Sequence, residues 1–513
     1  MHPRKFVRDS LGFALTQSLA RGVVMLRGFL AARWLDPLSF GAWGALQIMM
    51  DYGALAPVGT QQGLDQMVPP RLVEGDPGRI VRVKRAALGN ILLLTALYIA
   101  ACLTWASVGS SRLRATWHLS GIALALACVL LINLANYGTS LLRSHGDIPA
   151  VSTWFVLQAL IGAGLGVALI PAYGRWGLLY GWLAGCFVAF VFVRLRGGPR
   201  VPLTPAAGLE GMDLVQIGLP LYLFNLSTLV TRTIDRLVVL RFLGTEALGY
   251  YGVSVMALTF LMYLPDSVAY VFYPQLLRRF AEGGNEPAAI RDGVVRVVRV
   301  VALLVPALGG VAFLWVHDAV LLVLPKYAPG VPSLRVLCFG ATGLAVANLA
   351  SIVLMTVGRR IVLVPAAVFL AAIGAALEIV AVRLNLGITG VAWATLITYF
   401  TSGGVLLALA GAGLEMRLRE VAAFVLRAFA PPALGFALAV TLDRTVLAHA
   451  FASIPERMLH LGLGTLLFVA GYALLTLPLS RGAGLRQLLA EFNLPVLSPL
   501  LRRLGAGGAG GRR

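Results

Sequence analysis

The sequence predicts an all-α polytopic membrane protein with about 14 transmembrane helices, arranged as two parallel six-helix repeats around a central cavity plus two C-terminal helices. Three observations predict it. Of 513 residues, 59% are hydrophobic and 12% charged, with a mean hydropathy of +0.85, too apolar for a soluble core. Apolar runs of about 20 residues, the length that crosses a bilayer, recur along the whole chain. The chain also matches itself at an offset of 208 positions.

The first apolar run follows a basic start, MHPRKFVRDSLGF, as a secretory signal would, but Arg21 and Arg27 interrupt it and it continues to about Ala32. An uncleaved first span is expected. Further spans fall near 41–64, 86–108, 118–142, 149–171, 176–195, 213–240, 247–272, 297–316, 332–356, 361–382, 387–411, 421–442 and 457–479. An even number puts both termini on one side. Lys and Arg outside the spans concentrate on that side, so it is expected to be cytoplasmic. The richest connections there are 69–85 and 274–299, whereas the opposite loops, such as WLDPLSFG and FLGTEALG, are short. The tail after Pro478 is expected to lie amphipathically on the inner surface.

At the 208-residue offset RWLDPLSFGAWG (33–44) aligns with RFLGTEALGYYG (241–252). Arg33 meets Arg241, Leu35 meets Leu243, Gly41 meets Gly249 and Gly44 meets Gly252. The same register carries Pro57 onto Pro265 and Glu74-Gly75 onto Glu282-Gly283. Both copies start on the same side, so the repeats are parallel, with substrate expected between them. The expected organisation is a first lobe at 1–200, a second at 201–412, two added helices at 413–480 and a cytoplasmic tail at 481–513. The Gly/Pro-rich stretch 194–208 is the linker. Pro57 and Pro265 would weaken the helical ladder at equivalent depths.

A guanidinium at the bilayer centre costs about 2.5–3.5 kcal/mol on the lenient insertion scale, so Arg21, Arg27, Arg232 and Arg236 imply a water- or ligand-filled cavity. Gln17 aligns with Asn225, giving each half a polar amide nearer the cytoplasmic end. These six residues are the substrate-binding candidates. Arginine suits diphosphate, because its planar fork donates paired hydrogen bonds and stays ionised. Pairing competes with binding: Arg232 with Asp235 or Arg236 at helical spacing, and Arg27 with Asp51 or Asp235. Asp51, Asp235, Asp266 and Glu378 are the candidate ion-coupling acids, with Na+ and H+ both open.

Other function classes find little support. The net charge of +20 is scattered between apolar runs, so it reads as topology signal and anionic-lipid partner, with no nucleic acid implied. There is no GxxxxGK[ST] run for a nucleotide. His118, His145, His317, His449 and His460 lie far apart and lack zinc spacing, and Cys102, Cys128, Cys186 and Cys338 sit in apolar runs as small core residues. No cofactor, metal site or enzymatic centre is expected.

The turn ARWLDPLSFGAWGALQ after the first helix and the charged PPRLVEGD after the second resemble the polysaccharide-transporter, or oligosaccharide flippase, branch of the multidrug/oligosaccharidyl-lipid/polysaccharide (MOP) flippase superfamily. Arg33, Leu35, Pro37, Phe40 and Gly41 match that branch's turn, repeated as Arg241, Leu243 and Gly249. The resemblance implies translocation of undecaprenyl-diphosphate-linked oligosaccharide across the bacterial inner membrane by alternating access, for surface polysaccharide such as O-antigen, capsule or exopolysaccharide. The implied partners are the polyprenyl-diphosphate-linked glycan, membrane lipids, and a polysaccharide polymerase with glycosyltransferases. A lipid II flippase of peptidoglycan synthesis and an ion-coupled multidrug exporter share the architecture and are the alternatives. A non-transporting scaffold of an envelope complex would need neither buried arginines nor a repeat.

Overall fold

Apolar runs with no water to bond their amides must satisfy every N–H and C=O internally, and the computed structural model is helical accordingly. It describes residues 3–74, 76–108, 119–206, 210–447 and 454–480, and contains no strand among them. Gly75, His118, His449 and the tail 481–513 lie outside the described residues. The helices are α1 (Pro3–Trp34), α2 (Pro37–Gly53), α3 (Thr60–Glu74), α4 (Pro77–Val108), α5 (Leu119–Ser144), α6 (Ile148–Tyr173), α7 (Arg175–Gly197) and α8 (Glu210–Val238) in the first part of the chain. There follow α9 (Thr245–Glu282), α10 (Ala288–Val323), α11 (Val331–Thr356), α12 (Arg360–Arg383), α13 (Gly387–Gly413), α14 (Leu418–Thr445) and α15 (Ile454–Ser480). From α4 onward, 12 helices are long and apolar enough to cross a membrane. The other two expected spans are α1, which carries Arg21, Arg27 and Arg33, and the α2–α3 pair.

That pair corrects the expected single span 41–64. The chain leaves the helix after Gly53 and resumes it at Thr60. Pro57 offers no amide hydrogen, and Val58 (φ 38°) and Gly59 (φ 77°) turn through the left-handed region, where a β-branched residue such as Val58 is strained. Turn amides bond carbonyls across the break, Ala54 to Met50 at 2.9 Å and Ala56 to Gly53 at 3.1 Å, and side chains add to them. Here the Tyr98 hydroxyl donates to the Met49 carbonyl at 2.7 Å, and buried Asn133 donates Nδ2 to the Gly53 carbonyl and to Thr95 Oγ1, both at 3.0 Å. Pro265, the repeat partner of Pro57, lies inside unbroken α9, so the equivalence stops short of backbone conformation.

The chain divides into two compact units. The first comprises Met1–Phe260, Val316–Leu337 and Arg360–Thr398; the second comprises Leu261–Trp315, Cys338–Arg359 and Tyr399–Arg513. Helices in lipid gain little from apolar burial against one another, so association rests on close packing of small residues. In the first unit, α6 and α7 pack through such a stripe: a Cβ on Gly185 would stand 2.7 Å from the Gly162 Cα, and one on Gly181 would overlap the Gly166 backbone. Leu64, Val83, Leu88, Ile91, Tyr137 and Leu214 form a core joining α3, α4, α5 and α8. In the second unit, Phe313, Phe339 and Phe436 pack edge to face with centroids 5.1–6.1 Å apart. There the Tyr472 hydroxyl donates to the Leu303 carbonyl at 2.9 Å.

The turn that opens α2 is built as its sequence suggests. Asp36 caps the helix, its Oδ2 accepting the Ser39 amide at 3.1 Å, and Pro37 fills the first turn. Burial would raise the Asp36 carboxyl, but the bonds from Ser39 and nearby amides outweigh it and hold the group below the usual carboxylate range. The two copies of this turn meet one another. A Cβ on Gly41 would overlap the Thr245 carbonyl oxygen, and one on Gly249 would overlap the Pro37 carbonyl oxygen. Thr245 is the repeat partner of Pro37, as Gly249 is of Gly41, so the contact is reciprocal. The pairs Gly44–Leu248 and Gly252–Phe40 repeat the reciprocity. Self-complementary contacts of this kind mark a two-fold axis.

Candidate functional site

α1, α2, α7, α8, α9, α12 and α13 each supply a residue of the first unit to a buried polar region. Arg27 on α1 is buried, at 4% exposure, between two indoles. Its guanidinium carbon stands 4.9 Å from the Trp43 ring centroid and 4.5 Å from that of Trp182. Cation–π contact supports the charge there, while Nε and Nη1 have no hydrogen-bond partner and no carboxylate forms an ion pair with Arg27 among the described residues. Half-buried Asp51, in the last turn of α2 beside the break, lies within electrostatic range of both Arg27 and Arg236.

Arg236 is half-buried near the end of α8, just before a π-helical turn at Val239–Leu243. Such turns are frequent at functional sites. Its Nη2 donates to the Arg232 carbonyl at 3.0 Å, its Nε is buried without a partner, and it forms no ion pair among the described residues. Arg232, one turn earlier, is also half-buried, and the hydroxyls of Tyr52 and Thr233 meet at 2.8 Å to tie α2 to this stretch of α8. Arg21 is exposed on α1, while Gln17 and Asn225 are half-buried.

Asp235 points elsewhere, into protein, and is 1% exposed. Its Oδ2 accepts the Tyr251 hydroxyl at 2.8 Å and its Oδ1 accepts the Arg236 amide at 2.7 Å. Tyr251 also lies 3.3 Å from Thr395 Oγ1, which in turn donates to Glu378 Oε1 at 3.2 Å. Glu378 is 1% exposed, its Oε2 has no partner, and it feels the charge of Asp235. Two buried carboxyls are thus joined by two hydroxyls. Asp266 belongs to the second unit, where Asn348 Nδ2 donates to its Oδ1 at 3.4 Å.

The repeat register relates the two polar clusters. Arg27 corresponds to Asp235 and Trp43 to Tyr251, so one pair of positions, 16 residues apart in each half, holds a cation against an indole in the first copy and an anion against a phenol in the second. Equivalent backbone has been given opposite charge. Sequence reasoning found Arg27, Asp51, Asp235, Arg236 and Glu378, but missed Trp43, Trp182, Tyr251 and Thr395, whose roles depend on neighbours distant in sequence. The identities at the 208 offset could have pointed to Trp43 and Tyr251, since each sits two residues after a matched glycine.

The family model for polysaccharide biosynthesis protein matches residues 30–326, more than half the chain. The chain belongs to the polysaccharide biosynthesis protein family. No protein of curated function matches it. Among solved structures, the lipid II flippase MurJ in an inward closed conformation is similar to this polysaccharide biosynthesis protein with a TM-score of 0.69. Identity is 12% over 91% of this chain and 99% of that one. An inward-facing multidrug resistance MATE family transporter of the MOP superfamily is similar at 0.65, with 16% identity over 80% and 98%. A MOP superfamily transporter from Pyrococcus furiosus, described as having a binding pocket of reverse polarity, is similar at 0.56, with 16% identity over 79% and 95%. At such identities the likeness is one of fold: this is a multi-pass membrane protein with the architecture of MOP transporters.

Proposed function

We propose that this polysaccharide biosynthesis protein is a flippase of the bacterial inner membrane with both termini cytoplasmic. It carries undecaprenyl-diphosphate-linked oligosaccharide to the outer leaflet by alternating access between its two six-helix lobes. The observation that carries the reading is Arg236, a guanidinium at membrane depth whose Nε is buried without a partner and which has no ion pair among the described residues. Asp51 and Asp235 lie within electrostatic range of it without forming an ion pair, which leaves its donors for an anionic occupant. With Arg232, Arg21, Gln17 and Asn225 it would receive the diphosphate, and Arg27, fixed between indoles, would add positive potential from behind.

The test is a proteoliposome assay with the purified chain, comparing a fluorescent oligosaccharide on undecaprenyl diphosphate with the same oligosaccharide on undecaprenyl monophosphate. The diphosphate is expected to cross at least ~10-fold faster, the worth of about one charge-assisted hydrogen bond; equal rates would remove the arginines from recognition. In cells, depletion should erase surface polysaccharide while growth continues. Lysis on depletion would point instead to lipid II, the cargo named for the similar MurJ structure.

Glu378 and Asp235 are proposed as the coupling site. Two carboxylates buried this close repel, and sharing one proton or one Na+ removes that repulsion. Supporting this is the Glu378–Thr395–Tyr251–Asp235 chain, which gives a bound ion oxygen ligands or a proton a path. Glu378→Gln mimics the neutral form, so flipping should become independent of an imposed H+ or Na+ gradient while glycan binding is retained. A Glu378→Gln protein that still responds to both gradients would exclude this acid.

A further inference from the structure

A second concentration of arginine lies in the second unit and includes none of the residues assigned above. α10 and α14 line a cleft of about 370 Å³ to which Arg291, Arg299, Arg419 and Arg427 contribute. Its acids are Asp292 and Glu420, so four positive charges against two negative leave a net charge of two positive. One ion pair forms: Arg291 Nη2 to Glu420 Oε2 at 2.8 Å, which ties the two helices together. Arg299 and Arg427 form none among the described residues, and each stands within electrostatic range of the other. Like charges set side by side are unfavourable unless something anionic sits between them.

The cleft is also amphipathic. Val295, Val298, Phe424 and Ala428 are among its apolar lining residues. Arg299 comes 11 residues after the start of α10 and Arg427 nine after the start of α14, about 16 and 14 Å along their axes at 1.5 Å per residue. Both helices begin on the side of the membrane that the sequence assigns to the N-terminus, the side enriched in Lys and Arg. The paired cations therefore fall near the depth where phosphates give way to acyl chains. Basic pockets between membrane helices on that side take anionic lipid head groups, and an arginine fork matches a phosphate oxygen pair.

We infer that this cleft is a binding site for an anionic glycerophospholipid of the cytoplasmic leaflet, its phosphate held between Arg299 and Arg427. The Arg291–Glu420 bridge closes one end of the site and orients α14 against α10. The inference is independent of the transported substrate.

Native mass spectrometry of the full chain released from detergent tests it, with phosphatidylglycerol, phosphatidylcholine, undecaprenyl diphosphate and glycerol phosphate as separate probes. Phosphatidylglycerol is expected to stay bound where phosphatidylcholine does not. R299Q/R427Q should weaken it at least ~10-fold, as the loss of charge-assisted phosphate contacts implies. R299K/R427K should retain most of the binding, and the charge-matched control R79Q/R278Q should leave it unchanged. The Lys pair guards against a fold defect, since it preserves charge at the same positions. Equal retention of phosphatidylcholine, unchanged binding in R299Q/R427Q, or loss in both the Gln and Lys pairs together with the control would overturn the inference. So would undecaprenyl diphosphate binding in place of phosphatidylglycerol, which would make the cleft a carrier site, or full competition by glycerol phosphate, which would make it a simple anion site.

Discussion

Arg232→Ala together with Arg236→Ala is expected to reduce glycan export at least ~100-fold while the protein remains in the membrane at normal levels. Both side chains are half-buried, so truncation opens no closed core cavity. Truncating Arg236 removes the bond from its Nη2 to the Arg232 carbonyl, at 3.0 Å. A charge-assisted hydrogen bond contributes about 1.5–3 kcal/mol, and a factor of ten is about 1.4 kcal/mol. Removing two guanidiniums from a diphosphate therefore predicts a loss of two orders of magnitude or more. The double Lys variant should recover part of the activity, because charge persists while the planar fork is lost. Surface polysaccharide measured by gel staining, with immunoblotting for the protein, checks both; normal polysaccharide in the Ala pair would end the binding role.

Gly249→Ala should destabilise the protein even though Ala is the better helix former by about 1 kcal/mol. Its Cβ would overlap the Pro37 carbonyl oxygen, which is main chain and has no rotamer by which to retreat. α2 and the start of α9 would have to separate, at a cost of about 1–3 kcal/mol or more for such overpacking. Gly41→Ala should do the same from the reciprocal side, against Thr245. The two effects share one contact, so the double variant should lose markedly less than the sum. Thermal unfolding in detergent reads all three. A Gly249→Ala protein that melts at or above the parent temperature would show that the close approach is not maintained.

The sequence disclosed these features unequally, and the reasons are physical. Periodic apolar runs located the helices from α4 onward, because a bilayer imposes length and apolarity on each crossing separately. The interruption at Val58 and Gly59 was not visible, since Pro57 and Gly59 also occur in continuous membrane helices, as Pro265 does in α9. What braces the break is Asn133 and Tyr98, contributed by α5 and α4, whose side chains donate hydrogen bonds to the Gly53 and Met49 carbonyls. Arg299 and Arg427 were read as part of a scattered positive charge. Only the packing of α10 on α14 places them at one cleft.

By itself the sequence determined the membrane class and the helices from α4 onward, because each follows from composition or spacing within one stretch of chain. Tertiary structure decided what each charge meets: indoles around Arg27, hydroxyls joining Asp235 to Glu378, and no ion pair to the Arg236 guanidinium among the described residues. Those outcomes depend on residues remote from one another in sequence, such as Arg27 with Trp182 and Tyr251 with Thr395. The energy of a buried charge is set by the atoms beside it, and no local pattern in the sequence states which atoms those are.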